Sequence, residues 1–71
     1  MNYTDHIRTD LATTGNLGIN PRHVEAFMRL EYGTLDALSP DKFTREVKMA
    51  AECVKAAGPQ ESEGLASSYG L

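Results

Sequence analysis

The segment Leu38-Ser39-Pro40-Asp41-Lys42-Phe43 restricts the fold of this chain more than any other stretch. Ser39 offers a side-chain oxygen to the first free N–H groups of a helix. Pro40 falls at the first helical position, where its fixed φ is already helical and its missing N–H costs nothing. Leu38 before the cap and Phe43 after it are spaced as a hydrophobic staple. The spacing predicts one helix over 40–57, stopped by Gly58-Pro59. The same device occurs upstream: Asn20 caps, Pro21 opens, Ile19 and Val24 staple, and a helix runs over 21–32 to Gly33.

Both helices carry an apolar stripe. Val24, Phe27 and Met28 share one face, with Leu30 and Tyr32 on its flanks. Phe43, Val47, Ala50 and Val54 follow the helical repeat. Charges four apart predict solvent-side pairs: Glu25–Arg29, Asp41–Arg45 and Lys48–Glu52. The alanines Ala50, Ala51, Ala56 and Ala57 allow a neighbouring helix to come close.

The rest of the chain is read around this pair. Residues 4–14 form a first helix, with Thr4 as cap, Tyr3, Ile7 and Leu11 as stripe, a frayed Thr13-Thr14 end and Gly15 as stop. Leu17 and Ile19 are expected to pin the loop over 15–20 to the core. Thr34 caps one helical turn that presses Leu35 and Leu38 inward. A weak last helix over 61–69 carries Leu65 and Tyr69, with Leu71 following. The fold class is therefore all-α: a small bundle of three helices plus a short C-terminal helix, in a single domain over 1–71 whose residues 58–71 read as a loosely docked tail.

With 71 residues, such a chain buries only roughly 60% of its unfolded surface. The single cysteine, Cys53, allows no internal disulfide. Small domains without such staples often gain stability by association, so a protein partner or a homodimer is expected. The start, Met1 to Asp10, has no apolar core of a signal peptide, and no run is long enough for a membrane span. These features predict a cytoplasmic protein with a reduced thiol and no membrane role. The Met-Asn start gives it the look of a stand-alone small bacterial or phage protein.

Chemistry-bearing motifs are missing. His6, His23 and Cys53 fall on three different helices without metal-ligand spacing, so neither a metal nor a cofactor is expected. Cys53, at the edge of a stripe, reads as a small core residue. No nucleophile elbow, phosphate loop or paired-acid motif occurs, so the chain reads as non-enzymatic. Catalysis would need His6 or His23 in a pocket beside Cys53 or a carboxylate. Glu31 lies near the apolar face and the helix C-terminus, and reads first as a rim residue paired with an Arg or Lys of the long helix, with a binding carboxylate or an ion pair to a partner as the alternative.

The leading functional expectation is a small protein-interaction module, self-associating or bound to another protein, through Leu30, Tyr32, Leu35, Met49, Leu65 and Tyr69. The alternative is a small DNA-binding regulator with a helix-turn-helix-like core, using Arg22, Arg29, Lys42, Arg45 and Lys48. Nucleic acid is the lesser reading. The chain carries a net charge of -3, carboxylates interleave with the cations of the long helix, and the connection from Gly33 to Ser39 is longer than the usual helix-turn-helix turn.

Overall fold

The computed structural model describes residues 3–71. Among these, the chain forms four helices and no strand: α1 (Tyr3–Thr13), α2 (Pro21–Tyr32), α3 (Pro40–Ala57) and α4 (Pro59–Ser68). It is all-α, as the stripes and caps predict.

Both proline-started helices open as expected. Asn20 is extended and its Oδ1 accepts from the Arg22 N–H at 2.9 Å. Ser39 is likewise extended, and its Oγ accepts from the Lys42 N–H at 3.3 Å. Each cap satisfies a backbone donor that the helix itself leaves free. Lys42 Nζ lies 5.3 Å from the centre of the Tyr32 ring, joining the start of α3 to the end of α2. At the other end, Asn20 and His23 at the start of α2 share a cavity with Val54 and Lys55 at the end of α3, so the two helices run antiparallel.

Gly58 serves two helices at once. Its N–H donates to the Val54 carbonyl and closes α3, while its own carbonyl accepts from Ser62 and opens α4. Its φ of 88° lies where only glycine sits without strain. Pro59 then occupies the first helical position. The last helix thus begins two residues before the expected boundary, with no intervening loop.

The core collects Ile7 and Leu11 of α1, Val24 and Met28 of α2, Leu35 of the link, and Phe43, Val47, Ala50, Ala51 and Val54 of α3. Tyr3, Ile19, Phe27, Tyr32 and Leu38 pack on it from the edge. His6 sets its ring edge-on against Phe43 at 4.9 Å, and Tyr3 stacks on the same ring at 6.0 Å. The inner face of α4 is made of Ser62 and Ala66, both fully buried. These small residues, one turn apart, bring the helix close to α2, whereas Leu65 is only half-buried and Tyr69 is exposed.

Several local expectations need correction. Thr4 lies inside α1 and does not cap it; its hydroxyl donates to Glu25 across the bundle. Leu17 is 77% exposed, so only Ile19 holds the second loop to the core. The turn expected after α2 does form: Thr34 Oγ1 accepts from the Asp36 N–H at 3.3 Å, the Leu38 N–H donates to the Leu35 carbonyl, Leu35 enters the core and Leu38 packs on its edge. Glu52 pairs with Lys55 at 3.5 Å and not with Lys48, and no ion pair joins Asp41 to Arg45 among the described residues. These are solvated side chains, for which an i,i+4 spacing supplies only a few tenths of a kcal/mol.

The caps give a direct test. Asn20→Ala is expected to lower stability by about 1 kcal/mol, and Asn20→Gly by only a few tenths. Urea unfolding followed by circular dichroism measures both. Equal losses in the two variants would show that the side-chain bond to the Arg22 N–H carries no weight.

Candidate functional site

Two polar assemblies and one apolar groove stand out, and all three involve α2. The first assembly is centred on Glu25, whose residue is 2% exposed. Its Oε1 accepts from the Thr4 hydroxyl at 2.7 Å. Its Oε2 accepts from Arg29 Nε at 3.1 Å and faces Nη2 at 2.9 Å. The expected Glu25–Arg29 pair therefore exists, but its carboxylate lies under the first turn of α1 and not on the solvent side. The positive end of the α1 dipole favours an anion there, and both oxygens have donors, as a buried charge requires.

The second assembly is centred on Glu63 of α4. Arg22 grips it with two parallel bonds, Nη1 to Oε1 and Nη2 to Oε2, each 2.9 Å. His23 Nε2 lies 3.0 Å from Oε1, and the Ser67 hydroxyl donates to Oε2 at 3.1 Å. Arg22 Nη2 also donates to the backbone carbonyl of Leu71. The Glu63 carboxyl is held down to about 2, first by the Arg22 guanidinium, then by His23, against the opposing cost of desolvation. The same bond pushes the Arg22 guanidinium higher still. A histidine and a carboxylate do meet here, but every oxygen of Glu63 is committed to α2 or α4 donors, so the arrangement is a clamp between two helices.

The apolar groove runs between α2 and α3. Met28 and Ala50 lie at its buried side, Phe27 is half-buried, and Leu30 and Met49 are each 60% exposed. Cys53 also lines it and is exposed. Cys53 is therefore not a core residue; one position from the buried stripe residue Val54, it turns out of the core into this groove. The cavity measures about 360 Å³, at the small end of ligand-sized sites. Glu31 and Glu46 edge the groove. Among the described residues Glu31 makes no ion pair, which corrects its expected pairing with a cation of α3. The neighbouring Tyr32 phenol is pushed up to about 12, chiefly by hydrogen bonding to the Glu46 carboxylate, then by burial and by the negative charges of Glu31 and Glu46.

The expected interaction residues are thus divided. Leu30 and Met49 come together on one groove. Tyr32 is half-buried at the end of α2, with Lys42 over its ring. Leu35 is 3% exposed and belongs to the core, because the turn after α2 points it inward. Leu65 and Tyr69 sit on the C-terminal segment and do not line the groove. Of the five cations considered for nucleic acid, Arg22 is bound to Glu63 and Arg29 to Glu25, and Lys42 lies over Tyr32. Arg45 and Lys48 are exposed on α3. Sequence reasoning missed Phe27, Cys53, Glu46 and Ala50 as groove residues. Phe27 and Ala50 lie on the stripes themselves, while Glu46 and Cys53 lie one helical step from Val47 and Val54, and that phase was the available signal.

Among the described residues no group of three or more potential ligands is placed to hold a metal, and no helix is long and apolar enough to cross a membrane. Compared with protein-family models, with curated proteins and with solved structures, the chain matches none.

Glu63 yields a pH prediction. Its folded-state value, about 2, lies below the ordinary 4.5. Its contribution to stability is therefore complete above the ordinary carboxylate range and is lost as pH falls from about 4.5 towards about 2. Glu63→Gln is expected to melt at lower temperature than the parent at pH 7, with the two melting temperatures converging across that acid window. A constant gap down to pH 2 would show that the clamp does not depend on the charge of Glu63.

Proposed function

We propose that this chain is a small non-enzymatic protein-interaction module that works through the groove between α2 and α3. One observation carries the reading: two large apolar side chains, Leu30 and Met49, stand 60% exposed on opposite helices and share one groove with half-buried Phe27. Single exposed apolar residues are ordinary, but a contiguous patch rimmed by polar groups marks a contact surface. Met49, unbranched, polarizable and exposed, suits a surface that adapts to an incoming side chain.

The scaffold supports the same reading. The caps, the Gly58 junction and the two carboxylate clamps fix the four helices without using any groove residue for the purpose. Binding energy is then not drawn into ordering the site, which is the condition for tight binding by a small surface. A cytoplasmic setting, in which Cys53 stays a free thiol, accords with this function.

Cys53, the sole cysteine, provides the test. A benzophenone attached to its thiol and irradiated in extract of the native host is expected to give a discrete protein adduct. The Leu30→Glu/Met49→Glu variant, carrying the same label, is expected to lose that adduct while keeping its helical circular dichroism, since both positions are exposed. No adduct, or an adduct unchanged in the variant, would overturn the reading.

A further inference from the structure

Two features of the groove indicate what fills it. The first is that its walls are helix side chains, and no strand is present among the described residues. A ligand in such a groove finds no backbone row to pair with. An extended peptide would leave its own N–H and C=O groups unmatched on the buried side, whereas a helix satisfies them internally.

The second feature is charge. Glu31 and Glu46 both edge the groove. The antiparallel pairing sets them near the end of α2, where the helix dipole adds further negative character. The Tyr32 phenol beside them is raised chiefly by its hydrogen bond to Glu46 and by burial, with the charges of Glu31 and Glu46 adding to the shift. No Lys or Arg lines the groove, and Lys42, one turn before Glu46, lies over the Tyr32 ring.

We propose that the groove receives an amphipathic helix of a partner protein, with apolar side chains on one stripe along the groove and a lysine or arginine at the stripe's end over Glu31 and Glu46. This rests on the interaction reading above and names the partner's chemistry. A second copy of this chain is the poorer occupant. In a twofold contact each copy presents the same lining, here two carboxylates and no cation, on chains that each carry a net charge of -3.

A displayed library of helical peptides, varied at both apolar and charged positions and panned against the full chain, tests this. Recovered peptides are expected to carry Lys or Arg at one end of the apolar stripe. Their affinity is expected to fall at least about tenfold, or 1.4 kcal/mol, in the Glu31→Lys/Glu46→Lys variant, and to fall with added salt in the parent. Panning against that charge-reversed variant is expected to recover Asp or Glu at the same end.

Recovered peptides that show no charge preference, yet lose binding in Leu30→Glu/Met49→Glu, would overturn the cationic helix and leave the interaction reading standing. A dimer seen by light scattering and abolished by Leu30→Glu/Met49→Glu, with no peptide recovered, would assign the groove to a second copy and overturn the proposal. Binding indifferent to Leu30→Glu/Met49→Glu, or neither peptide binding nor dimer, would overturn both readings. Thermal melts of each variant establish that the fold is retained.

Discussion

The architecture depends on the enclosure of α2. His23, Val24, Glu25, Ala26 and Met28 are buried, and Phe27 is half-buried, so this helix is covered on most of its circumference. A helix wrapped so far round cannot keep polar side chains on a free face; each must find a partner inside. Glu25 finds Thr4 of α1 together with Arg29, and His23 with Arg22 finds Glu63 of α4. The apolar stripe gathers the helices, and these pairings decide where the first and last of them sit. The buried Glu25 carboxylate is a weak source of net stability but costly to strand, because its charge would be left without a partner, whereas the half-exposed Arg22–Glu63 pair is partly solvated. Here their effect is on register: α4 has a buried face of only Ser62 and Ala66, too small to choose its position by shape alone.

What was legible in the sequence follows from this division. The strongest local signals could be read: the Asn20-Pro21 and Ser39-Pro40 starts, the stripes of α2 and α3, the stops at Gly33 and Gly58. Pro59 carried the same signal as Pro21 and Pro40, but its glycine neighbour made it read as a breaker alone. The contacts that join α1 and α4 to α2 span 21 and 41 residues, and no local spacing announces them. Glu25 shows the difference most clearly. Its i,i+4 relation to Arg29 is visible in the sequence, while its burial depends on α1 lying across it.

The groove was half legible for the same reason. Leu30 and Met49 lie on the flanks of their stripes, so their exposure follows from helical phase. That they face each other follows only from the antiparallel pairing. Leu35 reads both as pressed inward by the turn after α2 and as an interaction residue, and the turn decides for the first: it is 3% exposed. Cys53 lies just outside the stripe, and the 100° step from Val54 is enough to carry it from core to groove.

A chain this small can expose apolar surface simply because it lacks the residues to cover it, and the four large apolar side chains exposed among the described residues, Leu17, Leu30, Met49 and Tyr69, allow that explanation to be weighed. Leu17 and Tyr69 are such cases: one is on a loop, the other ends α4, and each stands alone. Leu30 and Met49 differ in lying across one cavity, with Phe27 beside them and carboxylates at the edge. Shortage of chain scatters exposed residues; it does not align them on two helices. Burying that groove would also need little, since a helix as short as α4 already covers another side of α2 with two small residues. A fold that satisfies the buried Glu25 and ties down the half-exposed Glu63, yet leaves this seam open with two exposed apolar side chains across it and Glu31 and Glu46 at its edge, accords with the proposed partner.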